Sequence, residues 1–403
     1  MLVEAQCNGL PCICSDTVSR ETDITGTSCY LSISDDPAKW VEPLLSARRF
    51  TPEIPEKWDV SRSARWLGDW YLTHNDYVSA YVRNADEGPA CYYRIAQYVQ
   101  PNWKINNAYS RLQYRRNFDM PSGLRRKAYQ ALLLAVTVFN RTRQLNYDLR
   151  HHPSCVIIQR ELVPKILPSF LARKLEKQDR VIWDFDDDIL CEGECSRREF
   201  SLLERKAEHI LVTSSYLRNL VDEGFREKVL LLPTTCRPPE GEKTSRPDGK
   251  LRVLWLGSFS NLPNLDLVGK MPDGCELTVV CNKPYPGADF NIPWTREAAD
   301  AALLSADVGI MPLLPDPYNF GKGGFKLIQY MSAGLPVIAS PIGFNEEIVM
   351  PDFGFLTDDF ASALIDLRDH PDKRLAMGRA ARRAYDERFS VDRNLQTWKE
   401  TLS

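Results

Sequence analysis

Gly321-Lys322-Gly323-Gly324-Phe325-Lys326 places three glycines and two lysines just ahead of a helical pattern. Glycines let a backbone come close to a ligand. Free N–H groups at a helix start favour an anion. Lys322 and Lys326 add positive charge, so the set suits a diphosphate, above all one that gains charge as it leaves. The spacing is not Gly-x-x-x-x-Gly-Lys-Ser/Thr, which excludes a P-loop. Read alone, the loop is also compatible with a plain flexible turn. Gln329, one turn further on, can hydrogen-bond a ribose hydroxyl or stand as a solvated helix position.

A second chemical run is Asp184-Phe185-Asp186-Asp187-Asp188, with four carboxylates in five residues. Four such groups are costly to bury together. The expectation is therefore that they sit in solvent, bind a cation or face a cleft. A solvated loop capping the next helix is the plainer alternative. Gln159-Arg160-Glu161 ends a neighbouring apolar run and is expected beside them. Gly257-Ser258 follows another such run, where a small turn admits phosphate or sugar, or is an ordinary strand-to-helix turn. The eleven cysteines and five histidines have no metal-site spacing. Cys12-Ile-Cys14 and Cys191-Glu-Gly-Glu-Cys195 lack partner pairs, so reduced thiols and no metal are expected.

These groups need elements to hold them. From Cys155 onward, short apolar runs alternate with helical patterns: Val156–Arg160, Val181–Asp184, His209–Thr213 and Val229–Leu232 as strands, then Leu251–Leu256, Leu277–Val280 and Val308–Met311. Strands joined by helices imply parallel sheets. Residues 237–250 are rich in breakers and separate two α/β sets. Two consecutive doubly wound domains imply a cleft at the C-terminal ends of their strands, where ligands bind.

The chain also carries one phrase twice. Gln329-Tyr-Met-Ser-Ala-Gly334-Leu335-Pro336-Val-Ile338-Ala-Ser340 is echoed by Glu4-Ala-Gln-Cys-Asn-Gly9-Leu10-Pro11-Cys-Ile13-Cys-Ser15. Both read as helix, glycine stop and short buried strand. Both continue to an Asp-Asp step, Asp35-Asp36 and Asp358-Asp359, and a further apolar helical run. Two copies are too few for a solenoid. They predict an incomplete second copy of one domain type at the N-terminus.

Composition is that of an ordinary globular chain with a formal charge of −3. No apolar run approaches a membrane span, nothing near Met1 reads as a signal peptide, and a cytoplasmic setting without nucleic-acid partners is expected. Residues 101–150 stand apart, with ten Lys or Arg against two Asp, a local net of +8. The helix expected from about Leu124 to Leu145 is basic at both ends. It reads as a core helix with solvated ends, or as a face that meets an anionic inner membrane surface or phosphorylated lipid.

The segment from Gly321 to Gly343 resembles the donor-binding segment of GT-B glycosyltransferases of the "glycosyl transferases group one" type, family four. So do Gly354-Phe-Leu-Thr-Asp-Asp, His370-Pro-Asp-Lys-Arg, Met377-Gly-Arg-Ala-Ala-Arg382 and Glu387-Arg-Phe-Ser390. The resemblance covers about residues 86–403. It implies an α/β fold of two Rossmann-like domains facing a cleft, preceded by a partial α/β fragment. The expected divisions are 1–50 as that fragment, 51–84 as connector with some helix near Ala64–Tyr71, 85–240 on the acceptor side, 241–385 binding the nucleotide sugar, and 386–403 as a helix crossing back. It implies sugar transfer from a nucleotide-sugar co-substrate to a glycan or lipid-linked acceptor, with retention and without further cofactor or metal, in cell-surface polysaccharide assembly. The site residues so implied are Lys322, Lys326, Asp186 and Asp187 for catalysis. Gly257, Ser258, Gly321, Gly323, Gly324, Phe325 and Gln329 would bind donor, with Gln159, Arg160, Glu161 and Asp184 on the acceptor side. The family often has two Glu separated by seven residues, at positions held here by Gly321 and Gln329. It also often has an Arg and a Lys after the first strand of the second domain, where this chain has Ser258. Two other readings compete. Ile182-Trp-Asp184-Phe-Asp186 is similar to the first motif of haloacid-dehalogenase phosphatases, with Asp184 as nucleophile. The absent Glu pair suits a non-catalytic nucleotide-sugar-binding subunit.

Overall fold

The computed structural model describes residues 2–55, 77–191, 193–244 and 249–402. The chain divides into two compact units, 1–75 and 76–403. The helix expected near 64–71 lies outside the described residues.

In the first unit the order is a helix Leu2–Cys7, strand β1 (Ile13–Ser15), a 3-10 turn Arg20–Thr22, strand β2 (Cys29–Leu31) and a helix Ala38–Ser46. β1 and β2 pair in parallel. The phrase it shares with the C-terminal region ends its helix in the same way in both places. Gly9 and Gly334 have φ of +67° and +64°, a conformation that glycine adopts without steric cost. The amides of Gly9 and Leu10 donate to the carbonyls of Gln6 and Ala5, and those of Gly334 and Leu335 to Met331 and Tyr330. This is the double bond of a Schellman cap. The following strand pairs are not superposable in register: Ile13 pairs with Cys29, whereas Val337, aligned one place earlier, pairs with Gly354.

The second unit holds two parallel six-stranded sheets. The N-terminal lobe has β3 (Val78–Val82), β4 (Trp103–Asn107), β5 (Cys155–Gln159), β6 (Val181–Phe185), β7 (His209–Val212) and β8 (Val229–Leu231), ordered β4-β3-β5-β6-β7-β8. The C-terminal lobe has β9 (Leu251–Leu256), β10 (Cys275–Val280), β11 (Phe290–Ile292), β12 (Val308–Met311), β13 (Val337–Ala339) and β14 (Gly354–Leu356), ordered β11-β10-β9-β12-β13-β14. All pairings are parallel, so connections must cross over and helices cover both faces.

β3 corrects the expected division, because residues 78–82 lie within the stretch read as connector. The run Val-Ser-Ala-Tyr-Val is buried at every position and is an inner strand, flanked by β4 and β5. Its serine and tyrosine hydroxyls obscure the apolar run, but both reach the carboxylate of Asp148. Asp148 lies on the long helix Leu124–His151. Arg141 of that helix is also a core residue. It donates to the carbonyls of Val82, Asn106 and Leu162 at 2.8, 2.7 and 2.9 Å, tying strand ends together.

The two lobes share two passages of chain. The outward one runs through Pro233–Cys236. The return runs through Phe389 into the last helix, Val391–Leu402. Tyr385 donates to the carbonyl of Cys236 at 2.6 Å, Asn394 donates to that of Pro233 at 2.7 Å, and the Thr235 hydroxyl donates to that of Phe389. Val391 and Trp398 then enter the core of the N-terminal lobe beside Tyr98, Ala80 and Ile157.

Candidate functional site

The acidic run leaves the end of β6, and its members go to different uses. Asp184 is fully buried and accepts from Arg94, with Nε at 3.1 and 3.2 Å from the two carboxylate oxygens. Arg94 also donates to the Leu232 carbonyl and to the Thr234 hydroxyl. Asp186 and Asp188 are 8% and 7% exposed. Arg160 reaches Asp186 at 2.7 Å, Asp187 at 2.5 Å and Glu194 at 3.0 Å. Asp188 accepts the amides of Leu190 and Cys191 at 3.1 and 2.9 Å and the Tyr216 hydroxyl at 3.2 Å. The expectation that these carboxylates stay unburied is thus corrected for Asp184, Asp186 and Asp188. Two arginines and two backbone amides make burial tolerable, since a buried charge must be paired and hydrogen-bonded.

Gln159 and Glu161 lie beside this cluster, both buried. Arg83 holds Glu161 at 2.7 Å and Glu194 at 2.9 Å. Gln159 accepts from the Cys91 thiol at 3.4 Å. Burial pushes the Glu161 carboxyl up, against the pull of Arg83. Arg160 is the junction of the group, held at φ +64° with its amide on the Asp184 carbonyl.

The glycine–lysine loop of the other lobe meets the acidic loop directly. A methyl on Gly323 would stand 2.7 Å from the Asp186 carbonyl oxygen, and one on Gly321 would stand 2.6 Å from Asp188 Cβ. These glycines are needed for contact between the lobes. Phe325 opens the helix Phe325–Ser332 and packs on Tyr93 with ring centroids 4.5 Å apart. Gly324 heads that helix under Ile348 and Phe344. Lys322 lies over the Tyr318 ring at 3.4 Å. Lys326 is 5.5 Å from the Trp255 ring, and a methyl on Gly257 would come 3.0 Å from its Cε. The Ser258 hydroxyl accepts from Asn261 Nδ2 at 2.9 Å. Gln329 is 9% exposed, which corrects the solvated-helix alternative.

Charge couples the two loops. Burial works to raise the Asp187 carboxyl, but Lys322, Arg160 and Lys326 outweigh it and hold it below the usual carboxylate range. Burial, then the like charge of Lys322, draws the half-buried Lys326 ammonium down to about 8, with Asp187 opposing. The structure therefore brings Lys322, Lys326, Asp187 and Gly257 together. It sets Asp184, Gln159 and Glu161 beneath the surface.

Sequence reading missed Arg94, Arg83, Glu194 and Glu347. The last reaches from the C-terminal lobe to the helix Ser215–Leu220, accepting the Ser215 amide at 3.1 Å and its hydroxyl at 3.0 Å. A carboxylate suits a helix N-terminus, and the Ser214-Ser215 start was the available signal.

Residues 263–370 match the family model "Glycosyl transferases group 1". The matched segment makes up most of the C-terminal lobe. That match contains the whole glycine–lysine loop, and the paired parallel-sheet lobes have the GT-B fold. Among similar solved structures is Anabaena HepE in complex with UDP-glucose, at 14% identity and TM-score 0.57, covering 81% of this chain and 99% of that one. Trehalose-6-phosphate synthase OtsA is similar at 10% identity and TM-score 0.54, covering 81% and 98%. A glycosyltransferase from Rickettsia africae is similar at 14% identity and TM-score 0.51, covering 82% and 98%. At these identities the likeness is one of fold. No curated protein sequence matches the chain.

Proposed function

We propose that the protein is a glycosyltransferase that moves a sugar from a nucleotide-sugar donor to a glycan or lipid-linked acceptor, with retention, in cell-surface polysaccharide assembly. The observation that carries the reading is the junction of Asp187 with Lys322 and Lys326, two lysines inside the segment that matches the group 1 family model. In the free protein Asp187 shares the charge of both lysines. A donor diphosphate takes its place there, and its extra charge in the transition state favours the lysines and nearby amides further. The bond from the anomeric carbon to the phosphate oxygen breaks, and the acceptor hydroxyl oxygen bonds to that carbon on the same face. The proton of that hydroxyl passes to the departing diphosphate, and Asp187 orients the sugar or the hydroxyl. In this reading neither a metal nor a further cofactor is required, and the protein works in the cytoplasm at the inner membrane surface.

HepE was solved with UDP, with UDP and glucose, and with UDP-glucose, so uridine diphosphate sugars are the first donors to try. The phosphatase-like alternative is disfavoured because a nucleophile must reach its substrate, and Asp184 is fully buried beneath Arg94. The test is a panel of nucleotide sugars scored by rise in melting temperature, followed by diphosphate release with acceptor. One donor should stabilise the protein, and transfer should leave the anomeric configuration unchanged by NMR. A panel in which no nucleotide sugar binds would overturn the proposal. Binding without release would favour the non-catalytic subunit.

A further inference from the structure

A surface helix ordinarily keeps its apolar stripe toward the core and its outer face polar; the helix Leu124–His151 carries an apolar stripe on its outer face. Its inward face is Leu133, Thr137, Arg141 and Leu145, all buried. The outward one is Leu124, Ala128, Ala131, Leu132, Ala135 and Phe139, all exposed and spaced to share one face. Leu124, Leu132 and Phe139 are 84%, 56% and 60% exposed. Between this stripe and the exposed Ile166 and Phe170 lies an open hollow of about 550 Å³. Thr142 is the one lining side chain with an oxygen, and its hydroxyl turns back to the Val138 carbonyl at 2.7 Å.

Cations rim the stripe. At 100° per residue Arg125 and Arg143 fall along one flank and Lys127 along the other, and all three are exposed. Acidic neighbours are mostly engaged elsewhere. Asp148 is buried against Tyr77, Ser79, Tyr81 and Lys104. Glu87 takes Arg111 and Arg115. Asp119, on the preceding helix Arg111–Asp119, lies near Arg115, and exposed Glu176 ends the helix that carries Phe170.

We infer that this face docks on an anionic phospholipid bilayer, with Leu124, Leu132 and Phe139 entering the headgroup boundary and Arg125, Lys127 and Arg143 meeting the phosphates. An apolar stripe between cationic flanks is the pattern of a helix that lies in a membrane interface. A second copy fits less well, because a two-fold contact would oppose the cationic rim to itself. The inference deepens the membrane setting proposed above, yet it is tested without any sugar transfer.

The experiment is co-sedimentation of the full chain with vesicles of phosphatidylcholine alone or mixed with phosphatidylglycerol. The native protein should sediment with the anionic vesicles, less so in high salt, and little with the neutral ones. Arg125→Gln, Lys127→Gln and Arg143→Gln should each weaken partitioning about fivefold. Leu132→Ser with Phe139→Ser should abolish it while the melting temperature and transfer to a soluble acceptor stay as in the native protein. The inference is overturned if native protein ignores anionic vesicles, if the variants partition like it, or if the serine pair instead dissolves a dimer or releases a protein partner. Because transfer to a soluble acceptor is read separately, a failed vesicle assay and a failed catalytic assay are distinguishable.

Discussion

The two loops that meet between the lobes use charge in opposite ways. The acidic loop of the N-terminal lobe is nearly spent on itself: Asp184 on Arg94, Asp186 on Arg160, Asp188 on amides and Tyr216. The glycine–lysine loop brings two like charges close enough for Lys322 to help lower Lys326. Asp187 bonds Arg160 as well, but the lysines of the other loop add to its charge balance. A carboxylate run is therefore a poor guide to chemistry by itself, and what separates its members is the partner each one faces.

The largest expected effect breaks the structural side. Arg94→Ala leaves Asp184 buried without its cation and should cost about 3–5 kcal/mol in denaturant unfolding. Next comes the working side. Lys326→Ala should slow transfer on the order of a hundredfold without lowering the melting temperature, because the lysine's burial is itself unfavourable. The sign follows from its lowered value. Folding disfavours the proton on Lys326, so this group's stability cost is fully present below pH about 8 and is relieved as pH rises from about 8 toward the ordinary lysine range. Donor affinity should move the other way, falling as pH passes about 8, and Lys326→Gln should flatten that limb in a binding titration. Gly323→Ala is milder. Its methyl would press the Asp186 carbonyl, and a loss of about 1–3 kcal/mol is expected, read as a lower melting temperature together with weaker donor binding. The smallest effect sharpens the contrast. Asp187→Asn removes a charge that supports the Lys326 ammonium, so the alkaline limb of donor binding should shift to lower pH, with a stable fold by circular dichroism.

Much of the fold was legible because apolar runs such as Val156–Gln159 and Leu251–Leu256 are buried on both sides, as parallel strands must be. The glycine stop at Gly334 was legible because it needs only local backbone geometry. β3 and β4 were not, since Ser79, Tyr81, Lys104 and Asn106 interrupt the apolar signal with groups whose partners lie far along the chain, in Asp148 for three of them. The same distance hid the site's supports. Arg94 lies 90 residues from Asp184 in sequence and 138 from Leu232. Local pattern named the lysines and the aspartates, but only the folded chain assigned them different work.

The paired crossings at Pro233–Cys236 and Phe389–Ser390 have a mechanical consequence. Two stretches of chain bonded side by side tie the lobes together at one seam, like paired knuckles. Because the final helix anchors Trp398 in the far lobe, cutting the chain after Phe389 would leave an empty slot in that core and remove one knuckle. Any turn of one lobe against the other must then bend the chain at this seam.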